Sequence, residues 1–247
     1  MRPLLVALSF LTILPLRSTA LKEEEVGSSS SSFPLVGLVK GVLLYVMAVA
    51  LRRVFPADII AWWVITGNIV LTGALHIDGL SDTFDAIAVR GSKEKKLDVM
   101  KDSRAGPVGL TAVVLAILGE YLLLKDILRA GSPEGVLFFP VAGTTTMAFG
   151  ISLFRAARRE GLGSLFIRYG GRRSFFLSLF WCTAVVVAFG VFFNNLISLT
   201  GAMSGGLSVG VLFGIFINRT LGGHTGDTLG ATAVVSEVAF LVFFMVV

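Results

Sequence analysis

Apolar runs long enough to cross a bilayer recur from Leu35 to Val247, and they confine this chain to one environment before any motif is read. A membrane-spanning helix needs about 20 mostly apolar residues. Windows of that kind lie at Leu35–Leu51, Ile59–Leu75, Val108–Leu128, Gly135–Phe154, Phe175–Phe193, Gly205–Ile217 and Leu229–Val247. With 55% hydrophobic and 15% charged residues and a mean hydropathy of +0.86, a soluble globular domain is excluded. The expected fold is all-α, a polytopic membrane protein whose seven windows form a single integral membrane domain over residues 1–247. The sixth window is short unless Leu196–Met203 extends it. The N-terminal stretch Leu4–Leu16 is too short to span, and Pro15 limits it, so it is expected to lie on the membrane or re-enter it. No Ala-x-Ala-like site marks it as a signal peptide. Ser28–Ser32 reads by composition as a flexible linker.

Basic residues set the orientation. The segment 76–106 carries Arg90, Lys93, Lys95, Lys96, Lys101 and Arg104, and the segment 155–173 carries six arginines. The positive-inside rule then puts these segments, with Arg2, Arg17 and Lys22, in the cytoplasm, and parity adds the loop 218–228. Arg52 and Arg53 are the exception on the other side. The expected location is a cell (inner) membrane with any active site facing the cytoplasm. The net charge of +5 follows from this bias and from anionic lipid headgroups; no nucleic-acid partner is expected, since no stacking aromatics interleave the basic loops. A homo-oligomer is compatible with the sequence. The sole cysteine, Cys182, sits in an apolar run, where packing is its expected role.

Two motifs carry chemistry. In Gly73-Ala-Leu-His-Ile-Asp-Gly-Leu-Ser-Asp-Thr-Phe-Asp85, helical offsets put Asp78, Asp82 and Asp85 on one face, where like charges repel and a bound divalent cation would relieve them. Hard Mg²⁺ takes such oxygen ligands and leaves room for water and substrate phosphate. The competing reading is a solvated helix face. The segment 95–109 follows, with Asp98 and Asp102 beside Lys101 and Arg104: either a metal and phosphate surface or a short amphipathic helix with ordinary ion pairs. Gly106 and Pro107 are expected to open the third span.

The second motif, Asn218 to Ala231, holds Gly222, Gly223, Gly226 and Gly230, which permit close backbone approach to a phosphate or, in lipid, close helix packing. Asp227 stands at the mouth of the last span, and a carboxylate entering a membrane helix is functional by default. No Walker or Rossmann fingerprint is present. His76 reads as a base or phosphate donor, or as an interfacial residue. Glu120 and Glu237 fall inside apolar runs, where each must be neutral, paired or facing a polar cavity, and they sustain an ion-coupled transporter as a rival class. No internal repeat of the transporter kind is evident.

Phe10–Leu16, Phe33–Gly37, Thr72–Asp85, Leu97–Gly109 and Gly222–Ala231 together resemble the cobalamin synthase family, adenosylcobinamide-GDP ribazoletransferases, in order over nearly the whole chain. Two positions depart from the pattern. Ile13 stands where arginine is common, which weakens a substrate role there, and His224 stands where an aliphatic residue is usual, which marks it as peripheral. The resemblance implies a Mg²⁺-dependent transfer between adenosylcobinamide-GDP and α-ribazole or its 5′-phosphate, giving adenosylcobalamin or its phosphate and GMP. On that reading Asp78, Asp82 and Asp227 are the expected metal ligands. Asp85, with His76, is the expected catalytic acid–base group, while Lys101, Arg104, Asp102 and the glycines Gly222, Gly223 and Gly226 contact phosphate. A CDP-alcohol phosphotransferase is the nearest rival chemistry, but its Asp-x-x-Asp-Gly-x-x-Ala-Arg pattern is absent.

Overall fold

The computed structural model describes residues 2–14, 21–102 and 104–247. Pro15, Leu16 and Arg17, which figure in the expectations above, lie outside them. The elements in order are α1 (Arg2–Leu11), α2 (Glu23–Ser28), a 3-10 turn (Ser29–Ser32), α3 (Phe33–Leu51), α4 (Ala57–Leu71), α5 (Leu75–Ala88), α6 (Lys93–Val99), α7 (Pro107–Arg129), α8 (Glu134–Leu153), α9 (Leu162–Phe192), α10 (Leu196–Leu221) and α11 (Gly226–Val246). Six helical segments among the described residues are long and apolar enough to cross a membrane, and α4 and α5 reach that length only together, across a sharp bend. Large apolar side chains such as Val46, Leu115, Leu122, Phe180 and Leu212 remain exposed. In lipid they face acyl chains rather than water. The expected all-α membrane fold is therefore the observed one.

α8 is the hub of the bundle. Nearly every residue from Gly135 to Ile151 is buried, and α3, α9, α10 and α11 pack around it. Close approach depends on small residues, as lipid-embedded helix contacts generally do. A Cβ on Gly41 would collide with the Leu137 carbonyl on α8, and one on Gly210 would press on Ser236 and Thr146. Inside this packing Lys40 Nζ donates to Asn68 Oδ1 at 3.2 Å, and Asn68 Nδ2 donates to Glu237 Oε2 at 3.2 Å. Lys40, Glu120 and Glu237 are all buried.

Several boundaries differ from the sequence expectation. Ser28–Ser32 is not a flexible linker: Ser29 to Ser32 are buried, and the hydroxyls of Ser29, Ser30 and Ser31 donate to carbonyls three residues back. Those bonds satisfy each serine locally, so the run can be buried as a helical turn. α10 reaches back to Leu196, which makes the short sixth window a full span. α9 begins at Leu162 rather than near Phe175, continuing across a break at Gly171 (φ 61°), so Arg168, Arg172 and Arg173 are on helix rather than loop. The short α1 cannot span; it buries Ala7, Leu8 and Leu11 against Val26, Phe33, Met147 and Ile151, and the Ile13 N–H bonds the Leu71 carbonyl at 2.9 Å.

Candidate active site

The chain turns through 85° between α4 and α5, at Gly73 (φ 59°) and Ala74 (φ 62°). α5 consequently runs across the end of the bundle. His76, Gly79, Leu80, Thr83 and Ala86 form its buried face; Gly79 lies directly on the backbone of Asp227 at the start of α11, where any Cβ would meet the Asp227 carbonyl at 2.5 Å. Asp78, Asp82 and Asp85 follow one another along the adjoining, less buried face, so the expected helical alignment is the observed one. Thr225 caps α11, its hydroxyl accepting the Thr228 N–H at 3.2 Å, and this fixes Asp227 in the first turn facing α5.

Burial and the charges of Asp78, Asp227 and Asp85 together push the Asp82 carboxyl up to about 6, with Arg158 offsetting part of the effect. Acids from two distant motifs thus share one field. Among the described residues no three carboxylate, imidazole or thiol groups already converge as a closed ligand set. The donor chemistry nevertheless suits Mg²⁺, which commonly meets protein through one or two carboxylates and completes its shell with water and phosphate.

The remaining expected residues separate. Asp85 is occupied: its Oδ2 accepts the Gly106 N–H at 2.7 Å and its Oδ1 the Gly109 N–H at 2.8 Å. His76 is not on the acidic face at all; it is buried against Gly230, and burial, then the Lys40 charge, lowers it to about 3. Asp102 and Arg104 pair with each other at 2.7 Å and line a cavity of about 310 Å³ with Asp82 and Asp85. Lys101 pairs with Asp98 at 2.7 Å, exposed, and does not line that cavity. Gly222 and Gly223 approach chain rather than free space: a Cβ on Gly223 would strike the backbone of Ala156 and Ala157. Gly226 is exposed beside Asp227. His224 stacks on Phe154 at 4.7 Å, with its ring nitrogens bonded to the Gly214 carbonyl and the Thr228 hydroxyl, so it pins the loop.

What the sequence reading missed is the segment after α8. His224 N–H bonds the Arg155 carbonyl at 2.8 Å and Ala157 N–H bonds the His224 carbonyl at 2.9 Å, which holds this segment against the glycine motif. Arg155, Arg158, Arg159 and Arg168 then line a cavity of about 510 Å³. It adjoins an apolar cavity of about 280 Å³ bordered by Asp227, the two sharing Arg158 and Ser164. Arg158 donates to the Leu97 carbonyl, and its Nε is buried without a partner. The six arginines of 155–173 were the available signal; they served only to orient the chain.

A sequence model of the family described as CobS: Cobalamin-5-phosphate synthase matches residues 3–245. The chain belongs to that family. Among curated relatives, an adenosylcobinamide-GDP ribazoletransferase of Caldanaerobacter subterraneus subsp. tengcongensis is 32% identical over 248 residues, covering 100% of this chain and 98% of the relative. One from Geotalea daltonii is 38% identical, covering 96% and 94%. No solved structure matches. Membership in the cobalamin-5-phosphate synthase family agrees with the resemblance drawn from the motifs, and those motifs meet at one end of the bundle.

Proposed function

We infer that this chain is an adenosylcobinamide-GDP ribazoletransferase that joins adenosylcobinamide-GDP to α-ribazole or its 5′-phosphate and releases GMP. A ribose oxygen–phosphorus bond forms at the phosphorus attached to cobinamide, and the phosphorus–oxygen bond to GMP breaks. Transfer at phosphorus asks the protein chiefly to position reactants and neutralise charge. The observation that carries the reading is the nearness of Asp78 and Asp227 to Asp82, with Asp227 and Arg158 lining one cavity and Asp82 and Arg104 another. Asp78, Asp82 and Asp227 would hold Mg²⁺, which supplies charge neutralisation to the phosphate oxygens. Arg158, with Arg155, Arg159 and Arg168, offers the donors that a diphosphate needs, and Arg104 lines the cavity that Asp82 borders. Asp85 acts by holding α7 in place through the Gly106 and Gly109 N–H groups. All these groups come from one chain, so no second copy is required. The basic residues gathered at this end favour a cytoplasmic orientation.

The test is product formation by purified, detergent-solubilised protein given adenosylcobinamide-GDP, α-ribazole and Mg²⁺. GMP and adenosylcobalamin should appear together and be lost in Asp82→Asn; folded wild-type protein that releases no GMP would sink the reading.

A further inference from the structure

The 280 Å³ cavity beside Asp227 differs in kind from its neighbours. Its inner wall is Phe33, Met147, Ile151 and Leu229, all buried. Phe10 and Phe33 each set an edge against the ring of Phe166, at centroid distances of 5.6 and 5.5 Å, an arrangement favoured by aromatic quadrupoles. The polar side chains of the lining, among them Arg158, Glu160, Ser164, Thr225 and Asp227, come from the segment after α8 and from the start of α11. The aromatic and aliphatic wall formed by Phe10, Phe33, Met147, Ile151, Phe166 and Leu229 suits a flat apolar group.

We propose that this cavity seats the base of α-ribazole, an assignment that rests on the transferase function inferred above. Three flat groups compete. The corrin ring is excluded by size, since about 280 Å³ falls at the low end of the roughly 300–1,000 Å³ typical of small-molecule pockets. Guanine fits the wall less well, because any part of its polar edge turned to Phe33, Met147 and Leu229 would leave donors and acceptors unpaired. The dimethylated benzimidazole of α-ribazole is bicyclic, aromatic and almost wholly apolar. With the base against the apolar wall, the ribose lies beside Asp227, where Arg158 joins this cavity to the arginine-lined one. The attacking hydroxyl then approaches the phosphorus from the membrane side, and GMP departs toward the arginines with the electrons of the broken phosphorus–oxygen bond.

Met147→Phe fills the cavity, and Phe10→Ala opens its half-buried edge with little risk to folding. KM for each substrate is measured at saturating levels of the other. Both variants should raise KM for α-ribazole about tenfold or more while KM for adenosylcobinamide-GDP stays within about twofold, and the riboside of unmethylated benzimidazole should lose less in Met147→Phe than α-ribazole does. A rise confined to KM for adenosylcobinamide-GDP would assign the cavity to that substrate and overturn the proposal. Unchanged KM for both in both variants would overturn it too, leaving a lipid chain as the occupant. Because GMP release by the wild type is measured in the same assay, failure of the transferase reading is distinguished from failure of this assignment.

Discussion

Asp85 takes the place of the capping side chain that Gly106 lacks: its carboxylate accepts the Gly106 backbone N–H at 2.7 Å, at the position that opens α7. The second oxygen takes the Gly109 N–H at 2.8 Å. Two otherwise orphaned donors of a helix N-terminus are satisfied by an acid on another helix, in a place where the helix dipole also favours negative charge. Asp85→Asn keeps one acceptor and turns an NH₂ toward the other donor. Leaving a donor unpaired costs roughly 1–3 kcal/mol, so the apparent melting temperature in detergent should fall. Turnover should fall with it, whereas a solution base acting in place of Asp85 should not restore activity. Rescue by added carboxylate would instead return Asp85 to an acid–base role.

Asp82 behaves differently because burial, and then the charges of Asp78, Asp227 and Asp85, disfavour its ionised form. With its carboxyl raised to about 6, the proton and the metal compete for the same oxygens. The apparent Mg²⁺ requirement for GMP release should therefore be nearly flat above about pH 7 and rise toward tenfold for each pH unit below about 6. The sign for stability follows from the same shift. The ionised form is disfavoured in the fold, a penalty absent below the unfolded value near 4 and complete above about 6. Metal-free Asp82→Asn should consequently melt no lower than wild type at pH 8 while being inactive. A clear drop in melting temperature would mean that Asp82 makes a structural bond instead.

Gly79 sets the distance between the two acidic motifs. A Cβ there would meet the Asp227 carbonyl at 2.5 Å and its Cα at 2.9 Å, and both partners are backbone in packed helices, which cannot yield as a side-chain tip can. Gly79→Ala should move α5 off α11 and separate Asp78 and Asp82 from Asp227. Misplacement by about 1 Å can cost on the order of 100-fold in rate. Steady-state kinetics should show that loss in kcat, with Mg²⁺ binding weakened. Full activity in Gly79→Ala would show that Asp227 works independently of α5.

The membrane spans were legible because a 20-residue apolar window has few alternatives in water. The acidic face of α5 was legible too, since helical spacing alone aligns Asp78, Asp82 and Asp85. The placement of Asp227 beside them was expected only through compartment and resemblance; the contact itself depends on Gly79 lying on the α11 backbone, which no local pattern announces. The arginine cavity escaped because positive charge near a membrane has a generic explanation, and only the pairing of Ala156 with His224 brings that segment against the glycine motif. Ser28–Ser32 misled for the opposite reason: polar composition suggests solvent, yet hydroxyls bonded to their own turn can be buried.

Lys40, Asn68 and Glu237 form a bonded chain across α3, α4 and α11, and Glu120 is buried nearby on α7. Two acids and one ammonium in a bilayer core would serve either ion movement or helix registration. The helices close over them, with Gly143 packed against the Glu237 side chain, which favours registration. Lys40→Met strips the acids of their cation, and breaking a buried pair in this way typically costs about 3–5 kcal/mol. The apparent melting temperature should fall sharply, and adding Glu237→Gln to Lys40→Met should recover part of the loss, because the orphaned charge is then gone as well. For the protein that remains folded, kcat should stay within about twofold of wild type. If Lys40→Met instead melted normally and turned over slowly, the network would belong to the reaction, and the buried acids would need a role in turnover rather than in holding four helices in register.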